Sequence, residues 1–192
     1  MERAQLDKGS YGYIERWKRK KLITIGVWAA FIVLMIGIPA LVFHSRYNAF
    51  TIAGIVMVLP AARHVATYIA MAKFKSGSEK AYETIVQRVG ISKGMILLAD
   101  LILASETGHM VLDMVIISNG NIYGYAPSQK KTVENIEAAL ANVLADSDSH
   151  KHPLVNENFQ EFEDMVIMLS ANQSEVTEAD EAIRDRLLTA CI

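Results

Sequence analysis

Residues 22–43 form an uninterrupted run of 22 residues without a charged side chain, LITIGVWAAFIVLMIGIPALVF. As an α-helix this run is about 33 Å long, which matches the hydrocarbon core of a bilayer. A cleavable signal peptide has a shorter apolar region, followed by small residues at a cleavage site. Because the sequence HSRYN follows instead, we predict an uncleaved transmembrane helix.

A second apolar stretch, residues 49–71, follows the short loop 44–48 and contains Pro60, Arg63 and His64. Proline lacks a backbone N–H, so we expect a kink at Pro60. Two apolar helices joined by a short loop predict a transmembrane hairpin over residues 22–72. A re-entrant second segment is the alternative.

The basic residues at the ends of the two apolar runs predict the orientation of this hairpin. Arg16, Lys18, Arg19, Lys20 and Lys21 precede the first run, and Lys73, Lys75 and Lys80 follow the second. The loop between the runs has only Arg46. Since cytoplasmic flanks carry the excess of Lys and Arg, we predict a multi-pass protein of the cell membrane with both termini in the cytoplasm.

Charge divides the chain into two parts. Residues 1–75 have eleven Lys and Arg against three Asp and Glu, whereas residues 76–192 have eight against eighteen, a net charge of −10. The basic part is suited to an anionic lipid surface. The acidic part is a poor ligand for nucleic acid, because such binding requires Lys and Arg to neutralise phosphates. The partners expected are therefore the lipid bilayer and a protein or a second copy of the chain, and not nucleic acid.

The periodicity of the remaining sequence predicts a cytosolic α/β domain over residues 79–192. It follows a basic cytoplasmic segment (1–21), the hairpin (22–72) and a polar linker (73–78). We predict helices at 79–89, at 133–145 after a cap at Thr132, and at 178–189, with strands at 95–104, 110–118, 121–126 and 165–169. Asn119-Gly120 is typical of a tight β-hairpin. The element order is αβββαβα, with a mixed sheet of about four strands.

Two resemblances accompany this prediction. The stretch IPALVFHSRYNAFTIAGIVMVLPAAR resembles uncharacterised two-span membrane proteins of Gram-positive bacteria, which implies location and architecture only. The order of helix, three strands, helix and strand in residues 79–169 resembles a restriction-endonuclease-like core. That resemblance implies a metal-binding carboxylate at Asp113, but Gly124, Tyr125 and Ala126 stand where the family has a second carboxylate and a lysine. It therefore favours a degenerate relative.

The polar residues of the second apolar stretch are the first candidate site. Arg63 is about 12 Å of helix from Met71, so its guanidinium can snorkel to the lipid phosphates. The alternative is that Arg63 and His64 line a polar seam in an oligomer or contact a partner.

Two further groups of residues are candidates for chemistry in the domain. Asp100 and Asp113 interrupt apolar strands and are candidate buried carboxylates, unless alternation places them in solvent or they only accept backbone hydrogen bonds. His150 and His152 are weak candidates for a metal, since one His-x-His pair cannot complete a four-ligand zinc site. The single cysteine, Cys191, excludes an intramolecular disulfide.

No recognisable catalytic motif, phosphate-binding loop or cofactor signature is present in the sequence. We therefore expect a membrane-anchored protein-interaction or self-association module without catalytic residues or a cofactor. A metal-dependent hydrolase tethered to the membrane is the alternative.

Overall fold

The computed structural model describes residues 8–43, 49–90, 94–105, 108–127, 133–144, 153–171 and 175–191, with side chains for all of these except 39–43, 49–51, 104–105 and 108. Two compact units are present. One is helical and comprises residues Ile14–Lys75, and the other is an α/β unit comprising Met1–Tyr13 and Ser76–Ile192.

The long apolar helices end close to the expected positions, at residues 43 and 72. They are α1 (Tyr13–Phe43), α2 (Ala49–Val56) and α3 (Val58–Ala72). Two stretches, Tyr13–Ile38 and Ile52–Ala72, are long and apolar enough to cross a membrane. Helix α1 begins well before the apolar run, because the intervening Glu, Lys and Arg residues are good helix formers.

Pro60 breaks the helix of the second apolar stretch, and the break lies about one turn before the proline. The break between α2 and α3 falls at Met57. Proline cannot donate to the carbonyl four residues before it, and its ring crowds that carbonyl. For Pro60 this carbonyl belongs to Val56, the last residue of α2.

Within the helical unit, α1 packs antiparallel against α2 and α3. Gly54 lies so close to Ile36 that a Cβ on the glycine would be 2.6 Å from Ile36 Cγ1. Further along, the rings of Trp28 and His64 are 6.2 Å apart. The positions in contact increase along one helix as they decrease along the other, which defines a helical hairpin.

The α/β unit contains a mixed four-stranded sheet, as predicted. Its elements are α4 (Glu79–Val89), β1 (Ile96–Ser105), β2 (Gly108–Ser118), β3 (Asn121–Tyr125), α5 (Val133–Leu144), β4 (Leu154–Asn156), α6 (Phe159–Ala171) and α7 (Glu178–Ala190). The strand order is β1-β2-β3-β4. β1–β2 and β2–β3 pair antiparallel, and β3–β4 pairs parallel. Asn119 and Gly120 have φ values of 51° and 71°, as a tight hairpin turn requires.

The predicted strand at residues 165–169 is wrong, because this segment lies in α6. The fourth strand is Leu154–Asn156 instead, and the order becomes αβββαβαα. A short apolar run fits a buried strand or a helix equally well. Here helical spacing buries Phe162 and Val166 completely and leaves Ile167 and Met168 exposed.

Helices cover both faces of the sheet. On one face α5 and α7 contribute Ile136, Leu140, Ile183 and Leu187 to a core with β1, β2 and β3. On the other face α4 and α6 contribute Ile85, Phe162 and Val166. Because both faces are buried, β1 and β2 read as nearly continuous apolar runs.

The start of the chain contributes to the α/β unit, in contrast to the predicted separate segment of residues 1–21. Gly9 O accepts a hydrogen bond from Ala99 N at 2.7 Å, and Lys8 Nζ donates to Cys191 O at 2.8 Å. Cys191 also forms a β-bridge with Leu103. These contacts cover the outer edge of β1, and an edge strand that is covered in this way is protected from aberrant pairing.

Candidate functional site: the Asp100–Asp113 pair

The alternation of side chains in β1 is interrupted at Asp100. Leu98 and Leu101 contribute to the same core, although residues three apart in a regular strand point to opposite faces. Asp100 has a φ of 53°, in the left-handed region, which few residues other than Gly, Asn and Asp adopt without strain. An aspartate at this position therefore allows the strand to change the face of its side chains.

The neighbouring strand is interrupted at the same level. Leu112 and Val115 of β2 also contribute to one core although they are three residues apart. Ala99 pairs with Met114, and Leu101 pairs with Leu112. Asp100 and Asp113 therefore lie opposite each other between these two pairs.

Asp100 binds two separate segments of the chain through one oxygen. Its Oδ2 accepts hydrogen bonds from Gly12 N at 2.7 Å and from Ser76 Oγ at 2.6 Å. Its Oδ1 is buried and has no hydrogen-bond partner among the residues that the structure describes, and the whole residue is only 1% exposed. Hydrogen bonds to a charged group are the stronger kind, so Asp100 attaches both segments firmly to the sheet.

These two segments contain the points where the chain leaves and re-enters the α/β unit. The unit comprises residues up to Tyr13 and from Ser76 onward. Gly12 is thus at the end of the first segment, and Ser76 is at the beginning of the second. One buried carboxylate therefore connects the segment in which the chain leaves the α/β unit with the segment in which it re-enters. We refer to Gly12, Ser76 and Asp100 as the clasp.

Asp113 packs against the residue that follows Ser76. A Cβ added to Gly77 would be 2.6 Å from Asp113 Oδ2 and 2.8 Å from its Cγ. Asp113 is 9% exposed. Since Asp100 contacts Ser76 and Asp113 contacts Gly77, the two carboxylates converge on consecutive residues.

Burial and the neighbouring charge make Asp113 a weaker acid than an ordinary aspartate. Desolvation, followed by the charge of Asp100, raises the pKa of Asp113 to about 6. Burial and the charge of Asp113 in turn raise the pKa of Tyr125 on β3. Two close carboxylates in a dry environment cannot both ionise easily, so Asp113 is the member of the pair that takes up a proton.

Tyr11 completes the surroundings of the pair. Its hydroxyl donates to Gly77 O at 3.1 Å, and its ring stacks on Tyr82 of α4 with 4.7 Å between centroids. Burial, then the charges of Glu79, Asp100, Glu83 and Asp113, raises the pKa of Tyr11. The phenol therefore stays neutral and remains a donor in an acidic environment.

This arrangement suits the holding of a proton better than the binding of a metal. Among the residues that the structure describes, no group of three or more His, Cys, Asp or Glu side chains could hold a metal ion. At β3, Gly124 and Tyr125 pair with Val115 and Met114, and neither offers the second carboxylate of a nuclease-like centre. The nuclease-like resemblance stays a prediction.

The other predicted site residues belong to other parts of the chain. Arg63 is exposed on α3 and His64 is partly buried; both belong to the helical unit, where the His64 ring lies near Trp28. His150 and His152 lie outside the described residues.

Sequence reasoning did not anticipate the partners of Asp100. The sequence predicts that KGSYGY, near the N-terminus, belongs to a basic segment and that FKSGS, after α3, belongs to a linker. The small residues instead permit close approach: Gly9 and Gly12 have φ values of 78° and 76°, and Gly77 leaves room for Asp113. The signal available in the sequence was the glycine and serine content shared by these two segments.

The comparisons with known proteins do not add a relative. No family matches the chain in a scan of protein families, and no match is found among curated proteins or among solved structures.

Proposed function

We propose that this protein is a two-span membrane anchor whose α/β unit acts in the cytoplasm as an interaction module, binding a protein partner or a second copy of the chain. The observation that carries the proposal is that three large apolar side chains of β4 and α6 are exposed. We refer to Leu154, Ile167 and Met168 as the apolar surface.

The anchor is supported by the two long apolar helices and their contacts. Their antiparallel packing at Gly54 and Trp28 is that of a hairpin. Small residues such as glycine let membrane helices approach closely. The basic residues at the outer ends of the hairpin favour the cytoplasm for both termini.

The apolar surface is formed by β4 and α6. Met168 is 69% exposed, Leu154 is 54% and Ile167 is 40%. Val155 points into the core that contains α5 and α7, so by alternation Leu154 points to the opposite face. This is the face on which α6 packs.

The edges of the sheet are poor docking positions, and this favours the helical surface. Gly9 and Cys191 cover β1. At the other edge Asn156 O accepts from Ala126 N, so the N–H of the preceding Val155 points away from β3. Glu137 Oε1 accepts from that N–H at 3.0 Å, which blocks addition of a strand at this position.

The charge of the module indicates the chemistry of the partner. Residues 76–192 have a net charge of −10, and α6 itself contains Glu161, Glu163 and Asp164 beside its apolar residues. Electrostatic complementarity favours a partner surface that combines apolar side chains with Lys or Arg. An anionic lipid surface is disfavoured by the same charge.

Site-specific photo-crosslinking in intact cells tests this proposal. A photoreactive amino acid replaces Met168 in the full chain, and the same amino acid replaces Ala182, an exposed residue of α7, as the matched control. We expect a discrete crosslinked product from position 168 and none from position 182. A product of twice the chain mass identifies a second copy, and mass spectrometry identifies any other partner.

A pair of charge variants tests the same surface by co-purification. Met168→Glu should abolish the crosslinked partner's co-purification in mild detergent, because it buries an unpaired charge in the interface, whereas Ala182→Glu should retain it. Equal crosslinking from both positions, or full co-purification with Met168→Glu, would contradict the proposal.

A further inference from the structure

One oxygen of the buried Asp100 carboxyl group lacks a donor within the described part of the chain. A buried acceptor without a partner costs about 1–3 kcal/mol, and a buried carboxylate costs more because it is charged. Oδ1 of Asp100 is in this state, while Oδ2 has two donors. The carboxyl group opposite, Asp113, becomes a donor as soon as it is protonated.

The position of Asp113 allows it to supply that donor. Asp100 and Asp113 lie at the same level of two neighbouring antiparallel strands. The flanking pairs Ala99–Met114 and Leu101–Leu112 fix this level. Both carboxylates also converge on Ser76 and Gly77.

The groups that face Asp113 are themselves acidic or neutral. Asp100 acts on Asp113 directly. Asp113 acts on Tyr125 of β3 and on Tyr11 of the N-terminal segment. Glu79 and Glu83 of α4 add negative charge at Tyr11. All these charges favour uptake of a positive charge at the pair.

We propose that Asp100 and Asp113 share one proton, held as an O–H···O hydrogen bond from the Asp113 carboxyl to Oδ1 of Asp100, and that release of this proton to water weakens the clasp. With the proton bound, the pair has one negative charge and every buried oxygen of Asp100 is satisfied. Without it, two negative charges face each other and the Asp100 carboxylate is repelled from its position. Gly12 and Ser76 then lose their common acceptor.

The physiological meaning is a pH-dependent attachment of the two segments through which the chain leaves and re-enters the α/β unit. The pKa of Asp113 near 6 places the change close to the cytoplasmic range, so a modest acidification tightens the clasp. This inference does not depend on the apolar surface. Failure at Met168 therefore leaves it intact, and its own failure leaves the interaction module intact.

Infrared difference spectroscopy on the full chain in detergent tests the shared proton directly. We expect the C=O stretching band of a protonated carboxylic acid to titrate with a midpoint near the pKa of Asp113. The band should be absent in Asp113→Asn and retained in Asp164→Asn, which changes an exposed aspartate of α6. A spectrum of wild-type protein without a carboxylic acid band that titrates in this range would overturn the proposal.

Hydrogen exchange of the Gly12 amide tests the consequence for the clasp. After correction for the intrinsic rate, protection of this amide should fall by roughly tenfold or more between about pH 5 and pH 8, the effect of one unit or more of pKa shift. Asp113→Asn presents an N–H to Asp100 at every pH, so its protection should be high and independent of pH. Protection in Asp113→Asn that falls with pH as in wild type would contradict the proposal.

A divalent cation is the competing occupant. Thermal unfolding of wild type at about pH 8 is compared with and without Mg²⁺ or Mn²⁺, in the range where Asp113 is ionised. We expect no change in the midpoint. An increase with metal that is lost in Asp113→Ala but not in Asp164→Asn would replace the proton by a metal site and overturn the proposal.

Discussion

Asp180 Oδ1 accepts a hydrogen bond from Gly120 N at 2.7 Å, although 60 residues separate them in the chain. The other oxygen of Asp180 accepts from Thr177 N at 2.9 Å and from Thr177 Oγ1 at 2.8 Å, completing the capping box of α7. One fully buried carboxylate thus joins the start of the last helix to the β2–β3 turn. Both partners were signals in the sequence, but only the fold brings them together.

Asp180→Ala should destabilise the α/β unit by about 2–4 kcal/mol, because it removes a helix cap and also removes the charged acceptor of the half-buried Gly120 N–H. Chemical unfolding of the full chain in detergent measures the effect. Asp185→Ala is the matched control, since Asp185 lies on the exposed side of the same helix with its side chain 62% exposed. Equal losses in the two variants would contradict the assigned role.

Asp180 should also make the unit sensitive to acid. Burial alone would raise the pKa of Asp180, but the hydrogen bonds from Gly120, Thr177 and Asn119 lower it below the usual value. The unfolded chain then binds the proton more readily, so this contribution is present above about pH 4 and is lost as the pH falls through the lower folded pKa. The difference in unfolding free energy between wild type and Asp180→Asn should shrink on acidification, and a difference that stays constant would exclude this linkage.

Gly77→Ala should destabilise the α/β unit by about 1–3 kcal/mol, the cost of a group inserted into a packed position. The new methyl group would lie 2.6 Å from Asp113 Oδ2. Gly26→Ala is the control, because no atom of the described residues lies within 4 Å of a Cβ at that position in α1 and alanine is the better helix former. In an Asp113→Ala background the cost of Gly77→Ala should largely disappear, and a full cost there would show that the clash lies elsewhere.

The predicted topology requires the loop between the apolar helices to be outside the cell. A single cysteine at Ser45, in a chain in which Cys191 is replaced by serine, should react with a membrane-impermeant reagent in intact cells. Reporters active only in the cytoplasm should function at both termini, because the basic flanks favour that side. Labelling of Ser45 only after permeabilisation would reverse the orientation.

The long helices and the β-hairpin could be predicted because their signals are local. The uncharged run at 22–43 needs no partner to define a helix, and Asn119-Gly120 defines a turn by its own dihedral preferences. Helix α4 has the predicted bounds, since its apolar spacing and the following Gly90 act within a few residues. The prediction of the fourth strand was wrong for the opposite reason. The run MVIML fits the periodicity of a strand and that of a helix, and its conformation depends on the face of the sheet that Phe162 and Val166 cover.

The candidate site depended on contacts between distant segments. From the sequence, Asp100 and Asp113 were two polar residues in apolar strands, without a known register between them. The register of β1 and β2 places them opposite each other, and burial converts two ordinary carboxylates into a pair that binds a proton. Local composition determined the long helices, the first three strands and the tight turn between the second and third strands. The tertiary structure decided which ionisable side chains are desolvated, because desolvation depends on what packs around a residue and not on its neighbours in sequence.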